Sequence, residues 1–151
     1  MTPEEYNRHL ESSIPLAHGM GIRLVESSRG HAEAEIPMAG NGNHVGTMYA
    51  GALFTVAELL GGAIAISTFD TSVYYPIVKD LAITFRRPAM TTVRARATLP
   101  ADTIDDVINR ADEAGKADFV LEAELTDDAG VVVATTRGTY QIRRHTDPPR
   151  R

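Results

Sequence analysis

"GNGNHVGTMYAGALFTVAELLGG", Gly40 to Gly62, joins a glycine-rich loop to an apolar segment that continues to Phe69. Between Val45 and Phe69, the only residue that is ionised at neutral pH is Glu58. The segment from about Ala50 to Ser67 is apolar on nearly every face of a helix, which predicts a helix enclosed by protein rather than one lying on a surface. A buried carboxylate without a partner is costly, so we interpret Glu58 as a functional group. The alternative is a buried acid that is hydrogen-bonded for structural reasons.

The composition indicates a single domain over residues 1–151, with 43% hydrophobic and 23% charged residues. The net charge of −5 and the lack of a long basic cluster argue against nucleic acid as a partner. The chain has no cysteine and its five histidines are scattered, so we expect no metal site and no cofactor. The acidic N-terminus does not resemble a signal peptide, and Glu58 disfavours a membrane span, so we expect a cytoplasmic protein with no membrane partner.

The pattern outward from the central helix predicts an α+β fold, in which a largely antiparallel sheet is wrapped around one long apolar helix. A polar tail is expected over about 144–151. Two further helices are predicted: an N-terminal one over about 3–18, and an amphipathic one over Asp102–Ala114, capped by Asp102 and closed by Gly115. The predicted strands are two before the central helix, at Gly21–Ser27 and Gly30–Pro37, and four after it in a meander, around Ile77–Arg87, Val93–Leu99, Phe119–Leu125 and Val132–Ile142.

The glycine-rich loop could be interpreted as a dinucleotide-binding loop or as part of a site at the start of the helix, and its spacing disfavours the first interpretation. Its spacing, Gly40-x-Gly42-x-x-x-Gly46, is one residue too long for the dinucleotide-binding pattern, and no strand ending in an acid follows about 20 residues later. The second interpretation concerns the helix start, where the free amides of Ala50 and Gly51 are suited to stabilise a developing negative charge on an acyl carbonyl.

Glu58 and the helix start are too far apart to act together within one chain. They are separated by 58 − 50 = 8 residues, or about 12 Å along a helix. Two antiparallel copies crossing near Phe54 bring the Glu58 of each chain close to the Ala50 of the other. The mechanism therefore predicts a homodimer with paired sites, either alone or as a dimer of dimers.

The segment resembles a known active site. Asn43-x-x-Gly46-Thr47-x-x-x-Gly51, followed by Glu58 at 58 − 43 = 15 residues from the Asn, is similar to hotdog-fold acyl-CoA thioesterases of the phenylacetate-pathway type. "KDLAITFRRPA", Lys79 to Ala89, resembles the strand that follows the helix in that family. The resemblance covers roughly residues 21–143. It implies a hotdog fold, hydrolysis of an acyl-CoA and a place in fatty acid metabolism.

The resemblance also implies roles for individual residues. Glu58 matches the acidic nucleophile or general base, Asn43 the residue that orients water or the thioester, and Ala50 the residue whose amide holds the carbonyl. Candidate substrate-binding residues are Tyr49, at the acyl pocket or the dimer seam, and the basic residues near the coenzyme A phosphates, Lys79, Arg86 and Arg87.

This sequence departs from the family pattern at three places. Glu58 stands where many relatives have Asp, Tyr49-Ala50 replaces a His-Gly pair, and Val78 replaces a Ser or Thr that assists in some relatives. The main alternative function is a hotdog protein that binds an acyl chain without turnover, and Val78 favours it. A hydratase on the same fold is disfavoured because Ala63 stands where such enzymes have a His.

Overall fold

The computed structural model describes residues 1–146, and its central element is helix α3, Ala50–Thr68. The helix follows Tyr49, whose backbone is extended, and ends before Phe69, which is extended again. By length and composition α3 would suit a membrane span, but 56% of its apolar window is buried inside the fold. It contacts all six strands and forms the centre of the core. This agrees with the predicted buried helix.

One six-stranded antiparallel sheet curls around α3, which confirms the predicted α+β hotdog architecture. The strands lie in the spatial order β1-β2-β4-β5-β6-β3. Their bounds are β1 Arg23–Ser28, β2 His31–Ile36, β3 Tyr74–Phe85, β4 Val93–Thr98, β5 Lys116–Thr126 and β6 Val132–Arg144. Alternation along β4, where Val93, Ala95 and Ala97 are buried, shows how one face of the sheet packs on the helix.

The meander predicted for the last four strands is wrong for β3. This strand pairs with β6, with Val78 opposite Tyr140, and lies at the edge of the sheet rather than beside β4. Alternation of buried and exposed residues identifies a strand but not its neighbours in the sheet. The chain just after β3 is fixed to β6, since the amides of Arg86 and Arg87 donate to the carbonyl of Val133.

The N-terminal segment forms two helices, α1 Pro3–Ser13 and α2 Pro15–Gly19, rather than the single predicted helix over 3–18. Pro15 explains the break, because a proline disfavours helical backbone at the preceding residue, and Ile14 has φ −136° and ψ 71°. Thr2 caps α1 in a reciprocal arrangement with Glu5.

An asparagine on α1 closes one edge of the sheet. The Asn7 side chain donates to the carbonyl of Leu24 at 2.8 Å and accepts from the amide of Leu24 at 2.7 Å. Leu24 lies in the edge strand β1, so the Asn7 amide takes the place of a neighbouring strand at this point. Tyr6 and Leu10 of α1 are buried in the core, which holds the helix against the body of the fold.

Helix α4, Ala101–Ala114, connects β4 to β5 and packs on its own sheet. Its buried residues are Ile104, Val107 and Ala111. The prediction that Asp102 caps this helix is wrong, because the helix begins one residue earlier, after the extended Pro100, and no side chain caps it. Asp102 instead lies in the first turn. Gly115 ends the helix with φ 75°, as predicted.

The predicted polar tail over 144–151 falls mostly outside the described residues, which end at 146. Its first residue, Arg144, is the last residue of β6. The Arg144 guanidinium lies 5.6 Å from the centre of the Tyr74 ring and also contacts Asp112. The sheet therefore extends to the start of the predicted tail.

Replacing either of two adjacent glycines in α3 by alanine is expected to change the stability of the protein in opposite directions. A Cβ at Gly61 would overlap the buried ring of Tyr140, whereas a Cβ at Gly62 would meet nothing within 4 Å. We expect Gly61→Ala to destabilise the protein by about 1–3 kcal/mol through overpacking. Gly62→Ala, the matched control, should stabilise it by roughly 0.5–1 kcal/mol, because alanine loses less backbone entropy in a helix. Urea unfolding at one protein concentration measures both, and equal effects would contradict this assignment.

Candidate functional site

One stripe along α3 is left uncovered by the sheet. The residues on it recur at helical spacing and are partly or fully exposed: Gly51, Phe54, Thr55, Glu58 and Gly62. The Phe54 side chain is 38% exposed, although it lies on the core helix. Glu58 thus lies on a face of α3 that residues 1–146 leave partly open.

The Glu58 cavity has a volume of about 270 Å³ and lies between α1, α3, β3 and β6. Its walls are mostly apolar, with a few polar side chains from α1. The lining residues are Tyr6, His9, Leu10, Ser13, Ile14, Glu58, Gly62, Ile66, Pro76, Ile77, Val78 and Tyr140. The cavity places a carboxylate at an opening into apolar space, which is the usual construction of a small-molecule site.

The electrostatics of this cavity favour a proton-accepting carboxylate beside two neutral phenols. Burial raises the pKa of Glu58 above its ordinary value of 4.5. Within residues 1–146 no group is found that hydrogen-bonds to the carboxylate. Burial, and then the charge of Glu58, raise the pKa values of Tyr6 and Tyr140, so both phenols keep their protons at neutral pH.

Tyr140 positions the helix rather than the carboxylate. Its hydroxyl donates to the backbone carbonyl of Glu58 at 3.2 Å, and its ring packs against Gly61. The side chain of Glu58 is therefore free to face the cavity while its backbone is fixed to β6. Such a rigid backbone is what a precisely placed base requires.

A second groove lies at the start of α3 and contains several of the predicted site residues. Its volume is about 400 Å³, and its lining includes Asn43, Ala50, Leu53, Arg86 and Arg87. The amides of Ala52 and Leu53 both donate to the carbonyl of Tyr49. The amides of Ala50 and Gly51 have no acceptor in the described part of the chain, as expected for the first turn of a helix.

Asn43 holds its own loop. Its side-chain nitrogen donates to the Thr47 hydroxyl at 2.9 Å, and its side-chain oxygen accepts from the amides of Val45 and Thr47 at 3.0 and 3.1 Å. These bonds form a turn that leads into α3 and use most of the hydrogen-bonding capacity of the side chain. A role in orienting water or thioester remains a prediction.

Tyr49 lies over Gly51. A Cβ at Gly51 would come within 2.6 Å of a carbon of the Tyr49 ring, so glycine at this position makes room for that ring. This contact between Tyr49 and Gly51 was not predicted from the sequence. The Tyr49 side chain is 58% exposed.

The three predicted phosphate-binding residues lie in two different places. Arg86 and Arg87 are exposed at the groove that contains Ala50. Lys79 instead forms an ion pair with Asp118 at 2.7 Å. Asp118 lies opposite Gln141, one position along the strands from Tyr140. Successive side chains of a strand point to opposite faces of the sheet, and Tyr140 packs on α3. The ion pair therefore lies on the face of the sheet away from α3. The structure does not bring Lys79 together with Glu58 or Ala50.

The Glu58 cavity and the Ala50 groove share no lining residue within one chain. This separation agrees with the distance argued from the sequence. Sequence reasoning missed the contribution of α1, which supplies Tyr6, His9 and Leu10 to the cavity. Their spacing of three and four residues marks one helix face, but nothing in the sequence indicates which surface that face covers.

One further cluster of polar residues was not predicted. Nε2 of His31 lies 3.7 Å from a carboxylate oxygen of Glu26 and 3.6 Å from one of Glu33. Arg96 donates to the same Glu33 oxygen at 2.6 Å, and Arg94 lies 3.8 Å from the other. Because a guanidinium already occupies the central carboxylate, we interpret this cluster as an ion-pair network across the sheet.

Comparisons with known proteins agree with this fold. A protein of unknown function from Pseudomonas aeruginosa, described as a probable thioesterase, is 46% identical, with a TM-score of 0.86 over 95% of this chain and 97% of that one. A thioesterase from Haemophilus influenzae is 17% identical, with a TM-score of 0.78 over 99% and 96% of the two chains. A mutant thioesterase from Pseudomonas aeruginosa is 21% identical, with a TM-score of 0.77 over 96% of each.

The last two structures are similar in fold alone, whereas the first is also close in sequence. No protein with a curated functional description matches the chain. The model of the family described as a domain of unknown function, DUF4442, matches residues 4–142. The chain therefore belongs to the DUF4442 family, within the superfamily of hotdog-fold thioesterases.

Proposed function

We propose that this protein is an acyl-CoA thioesterase in which Glu58 is the catalytic carboxylate. The observation that carries the proposal is the setting of Glu58, a partly buried carboxylate without a protein hydrogen-bond partner in residues 1–146, in the wall of a mostly apolar cavity. A carboxylate that the fold does not use is available for chemistry. The description of the 46% identical relative as a probable thioesterase supports a thioester as the substrate.

The proposed active unit is a dimer. Its interface would cover the part of the uncovered stripe around Phe54, which is 38% exposed, and the free edge of β3, where Val78 is 43% and Phe85 51% exposed. Side chains of this kind on an edge strand favour pairing with a second copy. Antiparallel α3 helices crossing near Phe54 would bring the Glu58 of one chain to the free amides of Ala50 and Gly51 in the other. We expect such an interface to bury more than about 1,000 Å².

In this site the two halves have different tasks. The amides at the helix start would donate to the thioester oxygen and stabilise the oxyanion that forms during addition. Glu58 would either attack the carbonyl carbon, forming an anhydride that water then hydrolyses, or take a proton from the attacking water. Both routes add one water and release a carboxylic acid and the coenzyme A thiol.

The groove at the helix start would also receive the coenzyme A. Arg86 and Arg87 are exposed there and carry charges complementary to phosphates. Lys79 is paired with Asp118 and is left out of this proposal. The acyl group would point the other way, past Glu58 and into the apolar cavity.

A second candidate function is acyl binding without turnover. The observation that favours it is Val78, an apolar residue in the lining of the Glu58 cavity. According to the family resemblance, some relatives have a Ser or Thr at this position. Without that hydroxyl, water and carboxylate have one fewer hydrogen-bonding partner. The two functions share a cavity and differ only in whether the thioester is cleaved.

The central prediction concerns Glu58→Gln, which keeps the shape of the side chain and removes the base. We expect a folded protein that binds acyl-CoA and whose kcat/KM falls by about 10²–10⁴-fold. Release of free thiol across a panel of acyl-CoAs measures the rate. Glu113→Gln is the matched control, because Glu113 is exposed on α4, and its activity should be unchanged. Wild-type activity in Glu58→Gln would refute the proposed role.

The shared site is tested by mixed dimers of Glu58→Gln and Ala50→Pro chains. Ala50 is the first residue of α3, where proline is tolerated, and Tyr49 before it is already extended, so the substitution removes the amide donor at little structural cost. Each homodimer should be inactive, and the mixed dimer should regain one working site. Ala50→Ser, which keeps the amide, is the control. Verified mixed dimers without activity, or a monomer in sedimentation, would contradict the shared site.

The pH dependence of kcat/KM should report the carboxylate. Burial raises the pKa of Glu58, so its basic form is lost as the pH falls through a value above 4.5. We expect activity to decline about tenfold per pH unit below that midpoint. A pH profile of a folded wild-type dimer measures it. An acid limb centred at or below 4.5 would show that burial does not control this carboxylate.

A further inference from the structure

Gly61 and Gly62 are adjacent in α3, but the packing of the chain explains glycine at only one of these two positions. The fold requires glycine at 61, where a Cβ would overlap the Tyr140 ring. It does not require glycine at 62, where a Cβ would meet no atom within 4 Å. Glycine inside a helix is unfavourable relative to alanine because it loses more backbone entropy on folding. Packing within this chain therefore does not account for Gly62.

The position of Gly62 relative to Glu58 suggests why a glycine occurs there. Gly62 follows Glu58 by 62 − 58 = 4 residues, which places both on one face of the helix, one turn apart. Both residues line the same cavity, which is also lined by Leu10 of α1 and by Ile14, the residue that follows α1. The space left by the missing side chain is space in that cavity, beside the carboxylate.

We infer that Gly62 sets the size of the acyl group that the cavity accepts, an inference that rests on the proposed thioesterase function. The cavity volume of about 270 Å³ exceeds the 150 Å³ or so that suffices for benzene. It lies just below the roughly 300 Å³ at which pockets for drug-sized ligands begin. The cavity therefore suits a medium-chain or ring-sized acyl group, with coenzyme A remaining outside.

The other explanation for Gly62 is close approach by a partner chain. In the proposed dimer the helices cross near Phe54, and Gly62 lies 62 − 54 = 8 residues, or about 12 Å, further along. Packed helices usually cross at an angle and separate on either side of the crossing point, so a contact centred on Phe54 would not need a glycine at 62. The walls near Gly62 also come from this chain, through Ile66, Ile77 and α1.

The experiment replaces Gly62 by Ala, Val and Leu and measures kcat/KM for acetyl-CoA and octanoyl-CoA. We expect the octanoyl-to-acetyl ratio to fall stepwise with side-chain size, by roughly tenfold or more for Gly62→Leu, because each lost methylene-sized space penalises the longer chain. Gly62→Ala should also raise the melting temperature. Ala114→Leu adds similar bulk on the exposed end of α4 and should leave the ratio unchanged.

Two results would overturn the inference. One is an unchanged ratio in a folded Gly62→Leu dimer, and the other is dissociation of the dimer by Gly62→Ala, which would assign the glycine to an interface. The proposed function fails separately, if wild-type protein hydrolyses neither substrate. In that case, a dissociation constant for octanoyl-CoA that rises tenfold or more in Gly62→Leu, while that for free coenzyme A does not change, still supports the size role.

Discussion

The burial of α3 by a sheet that reaches only part of its circumference governs the rest of this structure. The helix is apolar nearly all round, so every face left open is costly in water. Six strands cover most of it, and α1 covers part of the remainder. What stays open is a stripe that contains Phe54 and Glu58. The incomplete cover leaves an apolar surface exposed, which the proposed dimer would use, and it leaves access to the carboxylate.

Close backbone packing keeps this arrangement rigid. Gly61 allows the Tyr140 ring to lie directly on the helix, and the Tyr140 hydroxyl bonds to the carbonyl of Glu58. The residue that carries the carboxylate is thus tied to the middle of β6, while its side chain remains without a protein partner in the described residues. Rigid backbone with a free functional group is a common way to prepare a site before the substrate arrives.

Much of the fold was predictable from local pattern. The bounds of α3 follow from its apolar run, and the antiparallel strands follow from alternation such as Val93, Ala95 and Ala97. The place of β3 was not predictable, because alternation marks a strand without indicating which strand it pairs with. The break at Ile14 was signalled by Pro15, whose effect on the preceding residue was overlooked. The start of α4 was displaced by one residue because an extended Pro100 precedes it.

The candidate site divides in the same way. Glu58 was evident as the single charge in an apolar run, and its distance from Ala50 follows from helix geometry. The contribution of Tyr6 and His9 was hidden, since sequence shows a helix face but not the surface it meets. Gly61 and Gly62 look identical as letters, and only the position of Tyr140 distinguishes them. Lys79 and Asp118 are 39 residues apart in sequence, and their pairing likewise depends on the register of the sheet.

The Asn7–Leu24 pairing has a consequence for how far assembly can proceed. A sheet has two edges, and a chain with both edges open can add copies at each end without limit, as fibres do. Here Asn7 occupies the backbone of Leu24 in β1, and α1 lies along that strand. The β3 edge is left as the available one. With a single open edge per chain, the proposed edge-to-edge association would end after two copies, and the amide of one asparagine would help to set that limit.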